Sequence, residues 1–172
     1  MKFALTLAAA ALAGGLFALP ALAAGSGSSD TPTCPSGQVY NQQKKMCVSS
    51  TSDAIDDKSL ATYAYALAQE GRYQEALATL DLLQNPNTAE ALNYRGYATR
   101  KLGRVDEGIG YYLQSVALDP EYTLVREYLG EAYVIKGDLA SAKLQLAEIE
   151  KRCGTTCEPY QDLAEVIQAG AI

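Results

Sequence analysis

From residue 57 onward, apolar side chains return every three or four positions, in stretches broken by glycine or proline. Leu60, Tyr63, Ala64 and Leu67 share one face of the first stretch, and Ala76 and Leu80 share a face of the second. This spacing matches the 3.6-residue turn of an amphipathic helix. The pattern returns as Leu92 and Gly96 before Gly108 and Tyr112, and as Leu129, Gly130 and Tyr133 before Ala142 and Leu146. A last stretch, EPYQDLAEVIQAG, carries Leu163, Val166 and Ile167 on one face and ends at Gly170. Residues 24–56 read differently. Gly25-Ser26-Gly27-Ser28-Ser29-Asp30-Thr31-Pro32 and Ser49-Ser50-Thr51-Ser52 are linker material. Between them Gln38-Val39-Tyr40 predicts a strand that turns over Asn41 to Lys45 into Met46-Cys47-Val48. That small hairpin is tethered on both sides and is expected to move relative to the helical part of the chain.

The helical stretches repeat. Aligned on Gly71, Gly103 and Gly137, they fall 32 and 34 residues apart, and LAQEGRYQEALATL, TRKLGRVDEGIGYY and VIKGDLASAKLQL take equivalent places. Each glycine suits the left-handed turn that ends the first helix of a unit. Small residues recur where the two helices of a unit must approach: Ala64 with Ala76, Gly96 with Gly108, Gly130 with Ala142. A period near 34 with two helices per unit implies a stack of helical hairpins.

On these residues the chain resembles a tetratricopeptide-repeat protein of an exported bacterial type. Leu129-Gly130 with Tyr133 and Gly137 follows that family's pattern, Leu118-Asp119-Pro120 resembles its repeat end, and Asn85-Pro86 closes the first unit two residues early. The resemblance implies an all-α, right-handed α-solenoid of three helix-turn-helix units, 57–88, 89–122 and 123–153, with 154–172 as a capping helix. Arg95 and Thr99 depart from the family's Leu and Tyr, and nothing in the sequence accounts for Gly110 inside a helix. The resemblance also implies that the first helix of each unit lines a concave face through its positions 2, 5, 9 and 12. These are Lys58, Ala61, Tyr65 and Ala68, then Glu90, Asn93, Tyr97 and Arg100, then Leu124, Glu127, Glu131 and Val134, with Tyr94 and Tyr128 beside them. The family's carboxylate clamp would need Lys, Asn or Arg where this chain has Ala61, Tyr65, Tyr94, Leu124 and Tyr128. Capture of an acidic C-terminal tail is therefore not expected. The candidate partner-binding set is Tyr65, Asn93, Tyr94, Tyr97, Arg100, Glu127, Tyr128 and Glu131. For its tyrosines, surface recognition and packing between neighbouring units both remain open, whereas Tyr63, Tyr73, Tyr112 and Tyr133 are expected in the repeat core.

Composition narrows the function. Apolar residues make up 48% of the 172, enough for a sizeable core. The chain has no histidine, which excludes Ser-His-Asp and Cys-His catalysis and imidazole metal ligands. A formal charge of −6 argues against a nucleic-acid partner. Met1-Lys2, the apolar run Phe3 to Leu19, Pro20 and Ala21-Leu22-Ala23 have the order of a secretory signal peptide, so residues 1–23 are expected to be removed. An uncleaved membrane anchor is the rival reading. Loss of Lys2, the one charge in that segment, would move the net charge from −6 to −7. Both phenylalanines lie there too, leaving twelve tyrosines as the aromatic side chains of the remainder.

Export gives Cys34, Cys47, Cys153 and Cys157 an oxidising compartment, and proximity favours Cys34–Cys47 and Cys153–Cys157 as disulfides. A four-cysteine zinc site is the rival, though C-x12-C and C-x3-C are unlike the usual C-x2-C knuckles. The reading as a whole is a periplasmic or secreted scaffold that binds a protein or peptide in a tyrosine-rich groove, with no cofactor, metal or small-molecule substrate. A cysteine-dependent metal or redox protein is the alternative. An enzyme is disfavoured, because no phosphate loop, G-x-S-x-G or placed carboxylate pair occurs.

Overall fold

A computed structural model describes residues 31–50 and 55–170. The signal-peptide reading of residues 1–23 lies outside the described residues, as do parts of both linkers. Two short strands, β1 (Gln38–Asn41) and β2 (Met46–Ser49), form an antiparallel hairpin with Val39 opposite Val48 and Tyr40 opposite Cys47. Seven helices complete the described residues: α1 (Asp57–Gln69), α2 (Tyr73–Leu80), α3 (Ala89–Lys101), α4 (Val105–Leu118), α5 (Thr123–Ile135), α6 (Leu139–Cys153) and α7 (Glu158–Gly170). None of the helices among the described residues is long and apolar enough to cross a membrane.

Helices α1, α3 and α5 begin on the first residues of the three units, and each packs against its own following helix and against the first helix of the next unit. The inner turns are built alike. The amides of Gly71, Gly103 and Gly137 donate to Ala68, Arg100 and Val134, and the next amides, of Arg72, Arg104 and Asp138, donate back to Leu67, Thr99 and Tyr133. This is the double bond that closes a helix on a left-handed residue, and φ at the three glycines is 79°, 85° and 77°. Asp56, Thr88 and Asp138 cap the starts of α1, α3 and α6 by accepting from the amide three residues on.

The core is continuous from the hairpin to α5, through Val39, Leu60, Tyr63, Leu67, Leu80, Tyr97, Tyr112 and Leu129. A second cluster, Ala142, Ile149, Leu163 and Ile167, joins α6 to α7. Tyr63 and Tyr112 are fully buried as expected of repeat-core residues, while Tyr73 and Tyr133 are half-buried. Arg95, in the place of a leucine, ion-pairs with Asp81 at 2.8 Å. Thr99 is buried and its hydroxyl has no partner.

Disulfides join Cys34 to Cys47 and Cys153 to Cys157. The second staples the end of α6 to the start of α7. The first closes the hairpin, and here the expectation of an independently moving element is corrected. The Cys34 amide donates to the Tyr63 hydroxyl at 2.8 Å, Arg72 donates to the Cys34 carbonyl at 2.9 Å, and Ser36 donates to Glu75 at 2.8 Å. Arg72 and Ser36 together hold the Glu75 carboxyl down at about 2. The hairpin thus docks on α1 and α2 and closes one end of the stack, because Val39 and Cys34 have apolar surface to bury and no core of their own. At the other end α7 packs on both α5 and α6.

Close approach is sharpest inside the second unit. A methyl group on Gly96 would stand 2.6 Å from the Tyr112 ring and 3.1 Å from the Gly108 carbonyl, whereas one on Gly110 would meet nothing within 4 Å. Tyr112 is fully buried and has nowhere to swing. Gly96→Ala is therefore expected to lose ~1–3 kcal/mol by overpacking. Gly110→Ala is expected to gain ~0.5–1 kcal/mol by removing a flexible residue from a helix interior. Urea unfolding of the two variants beside the parent checks both signs.

Candidate functional site

The first helices of the units place one row of side chains after another along their shared face. Tyr65 of α1 stacks on Tyr94 of α3, centroids 4.5 Å apart, and meets Tyr97 edge-on at 6.2 Å. Tyr97 leans on Tyr128 of α5 at 5.0 Å. The Tyr65 and Tyr128 hydroxyls share a hydrogen bond of 2.8 Å, so the first and third units touch across the second. Five of the eight expected residues, Tyr65, Tyr94, Tyr97, Tyr128 and Arg100, thus form one connected cluster, and Glu131 joins it through Arg100. The rings are mostly spent on one another: Tyr94, Tyr97 and Tyr128 are buried and Tyr65 is half-buried. Their area stabilises the curvature of the stack, and aromatic pairs of this kind contribute ~0.5–1.5 kcal/mol each beyond burial. Burial raises the Tyr65 hydroxyl and pushes that of Tyr97 up to about 12, so the floor carries neutral phenols at any ordinary pH.

Arg100 lies at the centre. It is 5% exposed, donates to Glu131 at 2.6 Å and to the Tyr112 hydroxyl at 3.2 Å, and stands over the rings of Tyr97 and Tyr128 at 5.6 and 5.9 Å. Lys101 sits over the other reach of Tyr97 at 5.3 Å.

Asn93 and Glu127 occupy the same register on α3 and α5. Asn93 is fully buried and donates through Nδ2 to the Tyr122 hydroxyl at 3.1 Å. The Tyr94 hydroxyl donates to Glu90 at 3.2 Å. Among the described residues Asn93 Oδ1 is left buried without a donor. Glu127 is 5% exposed, and among the described residues no hydrogen bond or ion pair reaches its carboxyl. Burial, then the neighbouring Glu131, Asp162 and Glu158, push it up to about 9, and Arg100 offsets this only in part.

Glu158 and Asp162 belong to α7, which the repeat pattern alone marks only as a cap. A signal was present: 34 residues after Leu129-Gly130 stands Leu163-Ala164. The period continues one helix further, and α7 takes the place of a fourth first helix. Leu163 fits against Gly130, where an added methyl would stand 2.5 Å from it. Beside the floor, between α1 and α3, lies a cleft of about 220 Å³ lined by Lys58, Ala61, Leu83 and Glu90 among others.

No protein-family model matches the chain, and no curated protein matches it. Solved structures do. The Yersinia enterocolitica type III secretion translocator chaperone SycD aligns with a TM-score of 0.56 at 18% identity, over 66% of this chain and 82% of that one. SycD in complex with a peptide of the translocator YopD gives 0.56 and 18%, over 66% and 91%. The first TPR of Spaghetti (RPAP3) bound to the HSP90 peptide SRMEEVD gives 0.57 and 20%, over 68% and 94%. At these identities the likeness concerns the fold: the chain is a tetratricopeptide-like helical stack with a disulfide-closed hairpin at its head.

Glu127 makes the stack pH-sensitive. The unfolded chain ionises this carboxyl near the ordinary 4.5, while the folded chain keeps it protonated to about 9. Between those values the folded state holds the extra proton, so stability falls as pH rises. Glu127→Gln stays neutral in both states and is expected to exceed the parent by on the order of 3 kcal/mol at pH 7 and by little at pH 4.5. Urea unfolding of both proteins from pH 4.5 to 8.5 measures the divergence.

Proposed function

We propose that this protein is an exported binding module whose concave face holds a peptide or protein segment. The observation that carries the reading is the continuity of that face. A hydrogen bond between Tyr65 and Tyr128 and the stacked rings between them make three units present a single surface. A preformed surface needs little ordering on binding, which favours affinity. The likeness to SycD and to the RPAP3 repeat, both solved with peptides, supports a peptide-binding use of the fold. The acidic SRMEEVD peptide bound by the latter is not the expected ligand class here, since Ala61, Tyr65, Tyr94, Leu124 and Tyr128 offer no ammonium or guanidinium to hold carboxylates.

Export to a periplasm or beyond is part of the proposal. It rests on the order of residues 1–23 and on two local disulfides, which suit an oxidising compartment. With all four cysteines bonded, a metal site would have no free thiolate to use. The module acts by holding a partner and carries out no reaction of its own.

Photo-crosslinking residues introduced at Lys58 and Glu158, both exposed beside the floor, are expected to trap a partner in the producing cells. The same residue at Leu113 on α4 or Leu144 on α6, exposed on the second helices, is expected to trap none. Capture from Leu113 and Leu144 alone would move the site to the opposite face.

A further inference from the structure

Resting on that reading of the concave face, the electrostatics of its floor point to the kind of segment it holds. Among the described residues the first helices and α7 gather Glu90, Glu127, Glu131, Glu158 and Asp162 about the floor, against Arg100 and Lys101 beside Glu131 and Lys58 in the cleft beside Glu90. The two cations beside Glu131 are already engaged. Arg100 is bound to Glu131 and Tyr112, and Lys101 lies over Tyr97. Glu131 is therefore answered and Glu127 is not. Glu158 and Asp162 on α7, Glu131 on α5 and Arg100 on α3 are the charged groups around Glu127, and its neighbours from α1 and α5 include the phenols of Tyr65 and Tyr128.

An acid nine-tenths buried without a donor is costly, and a stack built only for stability would place an apolar side chain there. One unit away, Asn93 Oδ1 is a fully buried acceptor without a donor among the described residues, so unanswered oxygen stands at one register on two successive helices. The neutral phenols of Tyr65 and Tyr128 lie beside Glu127. An acceptor-rich face set among phenols is matched by a positive charge with several N–H donors, and a chain of net charge −6 favours the approach of such a segment from a distance.

We propose that the concave face selects a basic peptide segment and that a Lys or Arg side chain of that segment seats its cation on Glu127. Binding then ionises Glu127. At neutral pH the carboxyl gives up its proton to solvent as the cation arrives, and no other group needs to change. In the free protein the acid waits protonated, and the cation converts its burial from a cost into an ion pair beside Tyr65 and Tyr128.

Three pools of random nonapeptides test this, with the central residue fixed as Lys, Arg or Gln, passed over the immobilised protein, and enriched members titrated singly by fluorescence anisotropy. The Lys or Arg members are expected to bind about tenfold or more tightly than the same peptides with central Gln, as for a charge-assisted bond. Glu127→Gln, neutral and nearly the same size as the protonated acid, is expected to erase that preference. Calorimetry of the unaltered protein in buffers of different ionisation enthalpy is expected to find close to one proton released per peptide bound at pH 7, a readout that does not depend on any variant. Equal binding of Gln and basic members, or no proton release, overturns the cation seat while leaving the groove in place. Binding by no pool overturns the groove as well. Displacement of the bound peptide by spermidine at equal concentration overturns the peptide as the source of the cation.

Discussion

Arg100 is the charge on which the arrangement turns. It is buried between the second and third units, and a guanidinium in that position must be satisfied on several sides. Glu131 takes one side, the Tyr112 hydroxyl another, and the rings of Tyr97 and Tyr128 cover its faces. These partners come from α3, α4 and α5, so one side chain fixes how the third unit sits on the second. The same choice has a consequence one turn away. Arg100 is held by the half-buried Glu131, so the buried Glu127 is left with phenols and other carboxyls for company.

The aromatic floor depends on how closely the helices approach. Gly96 and Gly108 let α3 and α4 meet almost backbone to backbone, which leaves the Tyr112 ring and its hydroxyl directly under Arg100. Tyr97 and Tyr128 can then close over the top, and Tyr65 reaches across to Tyr128. A stack of this kind leaves an open face at each end unless something covers it. The hairpin covers one through Val39 and Cys34, anchored by Tyr63 and Arg72, and α7 covers the other through Leu163 and Ile167. Covalent closure by the two disulfides holds both covers at short range, where neither has enough buried surface to hold itself.

What could be read in the sequence was local or periodic. The pitch of the units, the turns at Gly71, Gly103 and Gly137, and the pairing of neighbouring cysteines need only short-range rules. The fate of the tyrosines was not legible in the same way, because Tyr65 and Tyr128 are 63 residues apart and meet only through the curvature of the assembled stack. Docking of the hairpin was hidden for a similar reason: its anchors are a phenol and a guanidinium whose repeat-level roles look like plain core and turn residues. Asn93 and Glu127 were placed on the concave face by their register, but that Asn93 Oδ1 and the Glu127 carboxyl go unanswered depends on where Arg100 and Tyr122 spend their bonds. Glu158 and Asp162 escaped the sequence because the glycine landmarks of the repeat stop before Cys153, although Leu163-Ala164 continues the period.

The central claim is that the floor holds an acid with no cation of its own. Carbon-13 NMR of the glutamate side-chain carboxyls, titrated from pH 3 to 10 and assigned with Glu127→Gln, tests it at the atom concerned. Glu127 is expected to titrate at about 9, far above the ordinary carboxylate range. A midpoint near 4.5 would mean that the carboxyl is already solvated or paired, and would contradict it.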